Sequence, residues 1–288
     1  MAFPNLTIIG ESINDSVPST HKLFEANDLA GLQELARSQD QGGAGYVDVN
    51  VGPRSAEFLA QMVRDVQSVT SKPLSIDTPD PVMAEAGLKA YDRVRGGGLI
   101  PILNSISQPR REMFKLTKVM PFMPILLASE RMEKGIAQPN HTAAEVYQTA
   151  RELVAEAGQH GIPVNHCIID PAISPIGADS EGRLHCLMGA INLIHADPAL
   201  KGVHMSVGLS NFSVMLPPKR ADGSPTKGPL ESAFLTLAGP LGMDHVIGSV
   251  KRKYEVLPAD HPAMLCLTDC LKLEGFDVIM RVQEYYSS

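Results

Sequence analysis

A repeated pairing constrains this chain more than anything else in it. Short apolar runs end on an amide or a carboxylate, and each is followed by a loop or a stretch with helical spacing. Leu74-Ser75-Ile76-Asp77-Thr78, Ile100-Pro101-Ile102-Leu103-Asn104-Ser105, Cys167-Ile168-Ile169-Asp170-Pro171 and Val207-Gly208-Leu209-Ser210-Asn211 all have this form. Leu6 to Glu11 with Asn14, and Tyr46-Val47-Asp48-Val49-Asn50, extend the set. The runs are apolar throughout rather than alternating, as parallel strands covered on both faces are. Strand and helix patterns alternating from end to end predict an α/β fold, a closed TIM (β/α)8 barrel, with residues 1–288 as a single domain.

The intervening stretches support this reading. Residues 28–41 carry a helical stripe with Asp28 as cap and Gly42-Gly43 as stop. Helices are expected over 55–71, over 81–91 with Pro81 in the first turn, over 143–161 and over 181–196. Residues 121–128, 203–209 and 244–248 supply the remaining strands. The loop 216–228, rich in Pro, Gly and charge, is expected to be a mobile lid. An open doubly wound sheet is the rival architecture. It would bring a G-x-G-x-x-G turn after the first strand, and Gly10-Glu11-Ser12-Ile13-Asn14 is not one.

The carboxyl ends of barrel strands share one face, so the polar tips are expected to converge on one pocket. That pocket is rich in Asp and Asn and has no obvious nucleophile. It suits a ligand with many ring N–H and C=O groups. Taken singly, each residue has a plainer reading: Asp77 as a helix cap, Asp170 before Pro171 as a turn, Asn50 to Pro53 and Ser210-Asn211 likewise. Repetition at successive strand ends favours the pocket.

Composition excludes several alternatives. Aromatic residues make up 5% and the net charge is −7, so a basic, aromatic nucleic-acid platform is not expected. No basic stretch leads into an apolar one at the N-terminus, and no apolar run approaches the ~20 residues of a membrane helix. A cytoplasmic protein is expected. Cys167, Cys186, Cys266 and Cys270 form no paired framework and read as reduced thiols, with Cys266 and Cys270 as small buried residues on one helix face. The nine histidines are scattered without ligand spacing, and no metal site is predicted. Neither a G-x-x-x-x-G-K-[ST] cradle nor a G-x-S-x-G elbow occurs.

Ile8-Ile9-Gly10-Glu11-Ser12-Ile13-Asn14 resembles the I-G-E-R-[IT]-N opening of the pterin-binding methyltransferases, which include the methyltetrahydrofolate:corrinoid methyltransferases and the folate domain of cobalamin-dependent methionine synthase. The similarity continues in the family's order. It runs through Gly42-Gly43-Ala44, Asp48-Val49-Asn50-Val51-Gly52-Pro53, Ser75-Ile76-Asp77-Thr78, Leu103-Asn104-Ser105, Ile169-Asp170-Pro171 and Gly208-Leu209-Ser210-Asn211-Phe212-Ser213. Ser12 stands where the family commonly has arginine.

The resemblance implies a TIM barrel that binds tetrahydrofolate or methyltetrahydrofolate as substrate at its carboxyl face. It implies methyl transfer between N5 of that pterin and the cobalt of a corrinoid (cobalamin) carried by a partner protein, in either direction. Asp77, Asp170 and Asn104 would match the amino-pyrimidinone edge, and Asn211 would contact N5. Asp48, Asn14 and Asn50 would orient the network, with Glu11, Gly208 and Ser210 nearby. Arg220, rather than Lys219, would supply a basic contact to the pterin or its tail. A homodimer is expected by the same resemblance. The alternatives are a dihydropteroate synthase, whose N-x-T-P-D-S-F loop Asn14 to Ser19 matches poorly, and a non-catalytic pterin-binding subunit of a methyl-transfer assembly.

Overall fold

Eight parallel strands follow one another around a barrel in chain order in the computed structural model, which describes residues 2–288. They are β1 (Thr7–Asn14), β2 (Tyr46–Asn50), β3 (Leu74–Asp77), β4 (Ile102–Ile106), β5 (Met123–Leu127), β6 (Ile168–Asp170), β7 (His204–Met205) and β8 (His245–Gly248). Continuous ladders run from β8 through β1 to β7. The last seam, between β7 and β8, closes by the isolated pairs Met205–Met243 and Gly208–Ile247. The Ile247 N–H donates to the Val207 carbonyl at 3.0 Å across it. The fold is the TIM barrel that the sequence pattern predicts.

Period-two alternation along the strands decides what faces inward. Ile9, Ile102, Ile125 and Ile168 are fully buried and pack together as one cluster, joined by partly buried Tyr46, Met123 and Ile247. Two residues farther along their strands stand Glu11, Asn104 and Asp170, on the same side as the isoleucines. Asp48 and Asn50 follow Tyr46 in the same way. An apolar plug therefore fills the lumen, and the polar tips crown it at the carboxyl mouth. The outward-facing residues pack with the helices into the much larger second cluster.

Local chemistry explains the covering helices. Helix α1 spans Pro18–Glu25 and α2 Leu29–Gln41, the latter capped by Asp28, whose carboxylate accepts the Gly31 N–H. Ser55 caps α3 (Ala56–Gln67), and Asp80 caps α4 (Pro81–Ala90). Thr142 and Glu145 form a reciprocal capping box at α5 (Ala143–Gln159), an arrangement that satisfies two otherwise unpaired N–H groups. Helix α6 covers Arg183–Ala196. No described helix is long and apolar enough to cross a membrane.

Two segments depart from expectation. Residues 203–209 are not a full strand: only His204–Met205 joins the ladder, and Leu209–Phe212 forms the single-turn helix α7 after Gly208. Between β4 and α5 the chain runs through 3-10 turns (Gln108–Lys118), β5 and an antiparallel hairpin (Glu130–Glu133 with Ile136–Pro139). Lys134 and Gly135 turn that hairpin at positive φ. The loop 216–228 is tied down at several points. Leu216 and Thr226 are buried, Lys219 pairs with Pro225, and Arg220 is bonded to the C-terminal helix. Helices α8 (Lys227–Ala238), α9 (Pro262–Cys270) and α10 (Phe276–Ser287) complete the chain, with Cys266 and Cys270 buried in α9.

Candidate active site at the carboxyl mouth of the barrel

An arc of hydrogen-bonding and charged groups links five of the strand ends. Ladder register sets Asn14 beside Asn50, Asp48 beside Ser75, and Asp77 beside Asn104. The Asn50 amide donates to Asp77 Oδ2 at 2.9 Å, and its carbonyl oxygen accepts the Gly52 N–H at 2.9 Å. Asn50 is thereby fixed, and it holds Asp77 in place. Glu11 on β1 accepts a hydrogen bond from the Ser210 hydroxyl and so ties the post-β7 turn to the first strand.

Asp48 lies beneath this arc, fully buried, and neither of its carboxylate oxygens has a hydrogen-bond partner among the described residues. Burial, and then the charge of Asp77, carry its carboxyl well above the ordinary range; Glu11 adds to this, while Ser75 and Asn104 face it and oppose. Asp77 is raised as well, first by burial, against the bond from Asn50 and the charge of Arg110. Two buried carboxyls this close favour a shared proton, because both cannot ionise cheaply.

Asp170 ends β6 on the opposite arc, 9% exposed. Burial pushes its carboxyl up to about 7, opposed by the Ala172 N–H, which donates to Oδ1 at 2.8 Å. Ala172 adopts φ 65°, so the turn presents its N–H back to the carboxylate. A cleft of about 380 Å³ opens beside this turn, lined by Glu130, Asn140, Pro171, Ala172, Arg183 and Cys186 among others.

Asn211 stands on α7 with an exposed side chain whose amide has no partner among the described residues. Its backbone is well held. The Asn211 N–H donates to the Gly208 carbonyl at 2.9 Å, and a Cβ at Gly208 would come within 2.9 Å of Asn211 Nδ2. Two residues on, Ser213 donates to the fully buried Glu231 of α8, whose carboxylate is also paired with Arg252. A rigid base thus carries a free amide.

Two expected members have side chains engaged elsewhere. Asn14 spends its side-chain oxygen on the Ser16 N–H at 2.8 Å, closing a turn at the end of β1. Arg220 does not join the cluster, which corrects the expectation for it. Its guanidinium donates to the Tyr285 carbonyl and to Ser288 Oγ, both at 2.8 Å, pairs with Asp222, and lies 4.8 Å over the Tyr285 ring. Lys219 is exposed beside it. Ser12 accepts from the buried Gln39 of α2 at 2.8 Å, so the position that departs from the R of the opening motif faces the helix layer.

Sequence reading missed Arg110, whose charge reaches Asp77 and whose Nε is buried without a partner. It also missed Ser75 and Ser206, buried hydroxyls lacking partners. Arg110 follows Ser107-Gln108-Pro109 directly after a strand end, and that was its only signal. Buried polar groups are nearly always satisfied, so this concentration of unspent donors and acceptors at one mouth has the chemistry of a ligand site.

Residues 13–248 match the family model described as pterin binding enzyme. A methylcorrinoid:tetrahydrofolate methyltransferase of Eubacterium limosum is 27% identical over 247 residues, covering 84% of each chain. Among solved structures, the dihydropteroate synthase of Xanthomonas albilineans with 4-aminobenzoic acid superposes with TM-score 0.58 at 17% identity, covering 93% of both chains. The 7,8-dihydropteroate synthase of Vibrio fischeri gives 0.60 at 14%, covering 95% of this chain and 96% of that one. At these identities the structural likeness concerns the fold alone.

Proposed function

Because the chain belongs to the pterin-binding enzyme family, whose model covers residues 13–248, we propose that it transfers a methyl group between N5 of tetrahydrofolate and the cobalt of a corrinoid on a partner protein. The observation that carries this reading is the partnerless Asn211 amide, standing on a braced turn at the same mouth as Asp77, Asn104 and Asp170. The E. limosum relative, 27% identical, carries the activity in its name and supports the reading. The corrinoid belongs to the partner, and when bound there it supplies the cobalt that gives or takes the methyl group.

The residues of this chain bind, orient and handle protons. Asp77 and Asp170 accept N–H bonds from the pyrimidinone edge, and charge-assisted bonds of this kind are shorter and stronger than neutral ones. Asn50 holds Asp77 at its angle. Removing a methyl from N5 leaves a nitrogen that is a poor leaving group unless a donor reaches it. The Asn211 amide can donate or accept as charge develops there. A single such donor, acting mainly in the transition state, is typically worth ~3 kcal/mol. The protonated partner of the Asp48–Asp77 pair keeps the floor of the site from carrying two negative charges.

The test is anaerobic mixing of the protein with methyltetrahydrofolate and Co(I) cobalamin, following the loss of Co(I) absorption. The reverse direction starts from methylcobalamin and tetrahydrofolate. Methyl transfer in either direction is expected. Tight folate binding with no transfer to free or protein-bound cobalamin would point to a non-catalytic pterin subunit. Condensation of a pterin pyrophosphate with 4-aminobenzoate would point to a synthase.

A further inference from the structure

Spacing along the chain conceals one cluster that folding assembles. His204 opens β7, while Asp244 and His245 stand at the start of β8, and a ligand atom from each of the three lies within 4.8 Å of the others. His204 Nδ1 sits 2.6 Å from Asp244 Oδ2, and His245 Nδ1 sits 2.8 Å from Oδ1. The two rings meet edge to face with centroids 4.7 Å apart. His245 is buried, whereas the side chains of His204 and Asp244 are 29% and 33% exposed, so the trio opens to solvent on one side.

The proton count in this trio is awkward. A neutral imidazole carries one N–H. Where that N–H sits on the distal ring nitrogen, His204 aims a lone pair at an Asp244 carboxylate oxygen. Either a second proton on the ring or a cation relieves the clash. A carboxylate held against imidazole nitrogens also recurs around metal-bound histidines.

Location supplies an independent argument. The trio lies at the amino ends of the strands, away from the mouth that carries Asp77 and Asn211, on the barrel face associated with stability rather than chemistry. It also spans the one seam that lacks a continuous ladder, where β7 and β8 meet only through isolated pairs. Two imidazoles and one carboxylate are a borderline donor set that suits zinc(II) and its neighbours better than calcium or magnesium. We propose that His204, Asp244 and His245 form a zinc-class metal site, completed by water, that clamps β7 to β8. The site is independent of the methyl-transfer reading.

The test uses chelator-treated, dialysed full-length protein. Titration with Co(II), followed in the visible region, should give d–d bands that saturate at one equivalent, and Zn(II) should displace the cobalt. Added Zn(II) should raise the melting temperature, and EDTA should reverse the rise, as expected for a ligand that binds only the folded state. His204→Ala and Asp244→Asn should each weaken uptake by at least the ~10–100-fold that loss of a supporting group costs at such sites. His195→Ala, at an exposed histidine, should leave uptake unchanged. Absence of saturable Co(II) bands in the unmutated protein would overturn the proposal whether or not the variants fold. Uptake that survives both ligand substitutions would overturn it equally.

Discussion

Asn211, Asn50 and Asn14 are the same residue type at three strand ends, and the structure separates them. Asn50 and Asn14 spend side-chain atoms on the fold, whereas the Asn211 amide is uncommitted. Asn211→Ala is therefore expected to slow methyl transfer by ~10²–10³-fold while methyltetrahydrofolate affinity changes little. Stopped-flow turnover beside calorimetric binding checks this, and equal losses in both would remove Asn211 from the chemical step. Asp77→Ala should instead weaken binding, by roughly 10–100-fold for a lost charged hydrogen bond. For Asp170 the sign follows from linkage. Its folded carboxyl is raised to about 7 from an unfolded value of 3.8, so it costs stability above pH 7, and the cost fades as pH falls toward 3.8. The ligand-free Asp170→Asn protein should melt higher than the parent at pH 8, with the gap closing toward pH 4. At this scale the cap at Asp28 was legible because its chemistry is local. Arg220 misled because proximity in sequence to Asn211 does not fix the direction of a side chain.

Strand and helix positions were legible wherever apolar periodicity was strong, as in α3, α5 and β1 to β6. The seventh run was not. Val203 to Leu209 is apolar enough for a strand, yet the chain leaves the ladder after Met205 and winds into α7. That turn is what presents Asn211. The hairpin after β5 was equally hidden, since Glu130 to Pro139 lacks an alternating apolar face. Gly208 ties this scale to activity. Its φ of −71° suits any residue, so Gly208→Ala imposes no backbone strain. The added methyl would instead meet Asn211 Nδ2 at 2.9 Å and displace the amide. Turnover should fall by up to ~10²-fold, as misplacement by about an ångström does, with folate affinity and melting temperature nearly unchanged. A variant with full turnover would mean that the amide's position is unimportant.

The closed barrel was readable because eight apolar runs, separated by helical stretches, leave few other topologies. How it closes was not, since the β7–β8 pairing joins residues about 40 positions apart through register alone. The role of the C-terminal helices was hidden too. Arg220 lies over the Tyr285 ring and bonds the last turn of α10, joining the loop 216–228 to the chain's end. Arg220→Ala is expected to cost about 1–2 kcal/mol of stability, from one cation–π contact and the hydrogen bonds with it. Thermal melting should register this loss, and the rate of methyl transfer should not. A loss of folate affinity without loss of stability would return Arg220 to the pocket.

The four isoleucines packed in the lumen carry one more implication. They make the interior a room with a single door. A pterin bound at the crown would have to leave through the same mouth, above the packed isoleucines. On the proposed methyl transfer, a corrinoid protein docked over that mouth would hold the pterin in place until it withdrew.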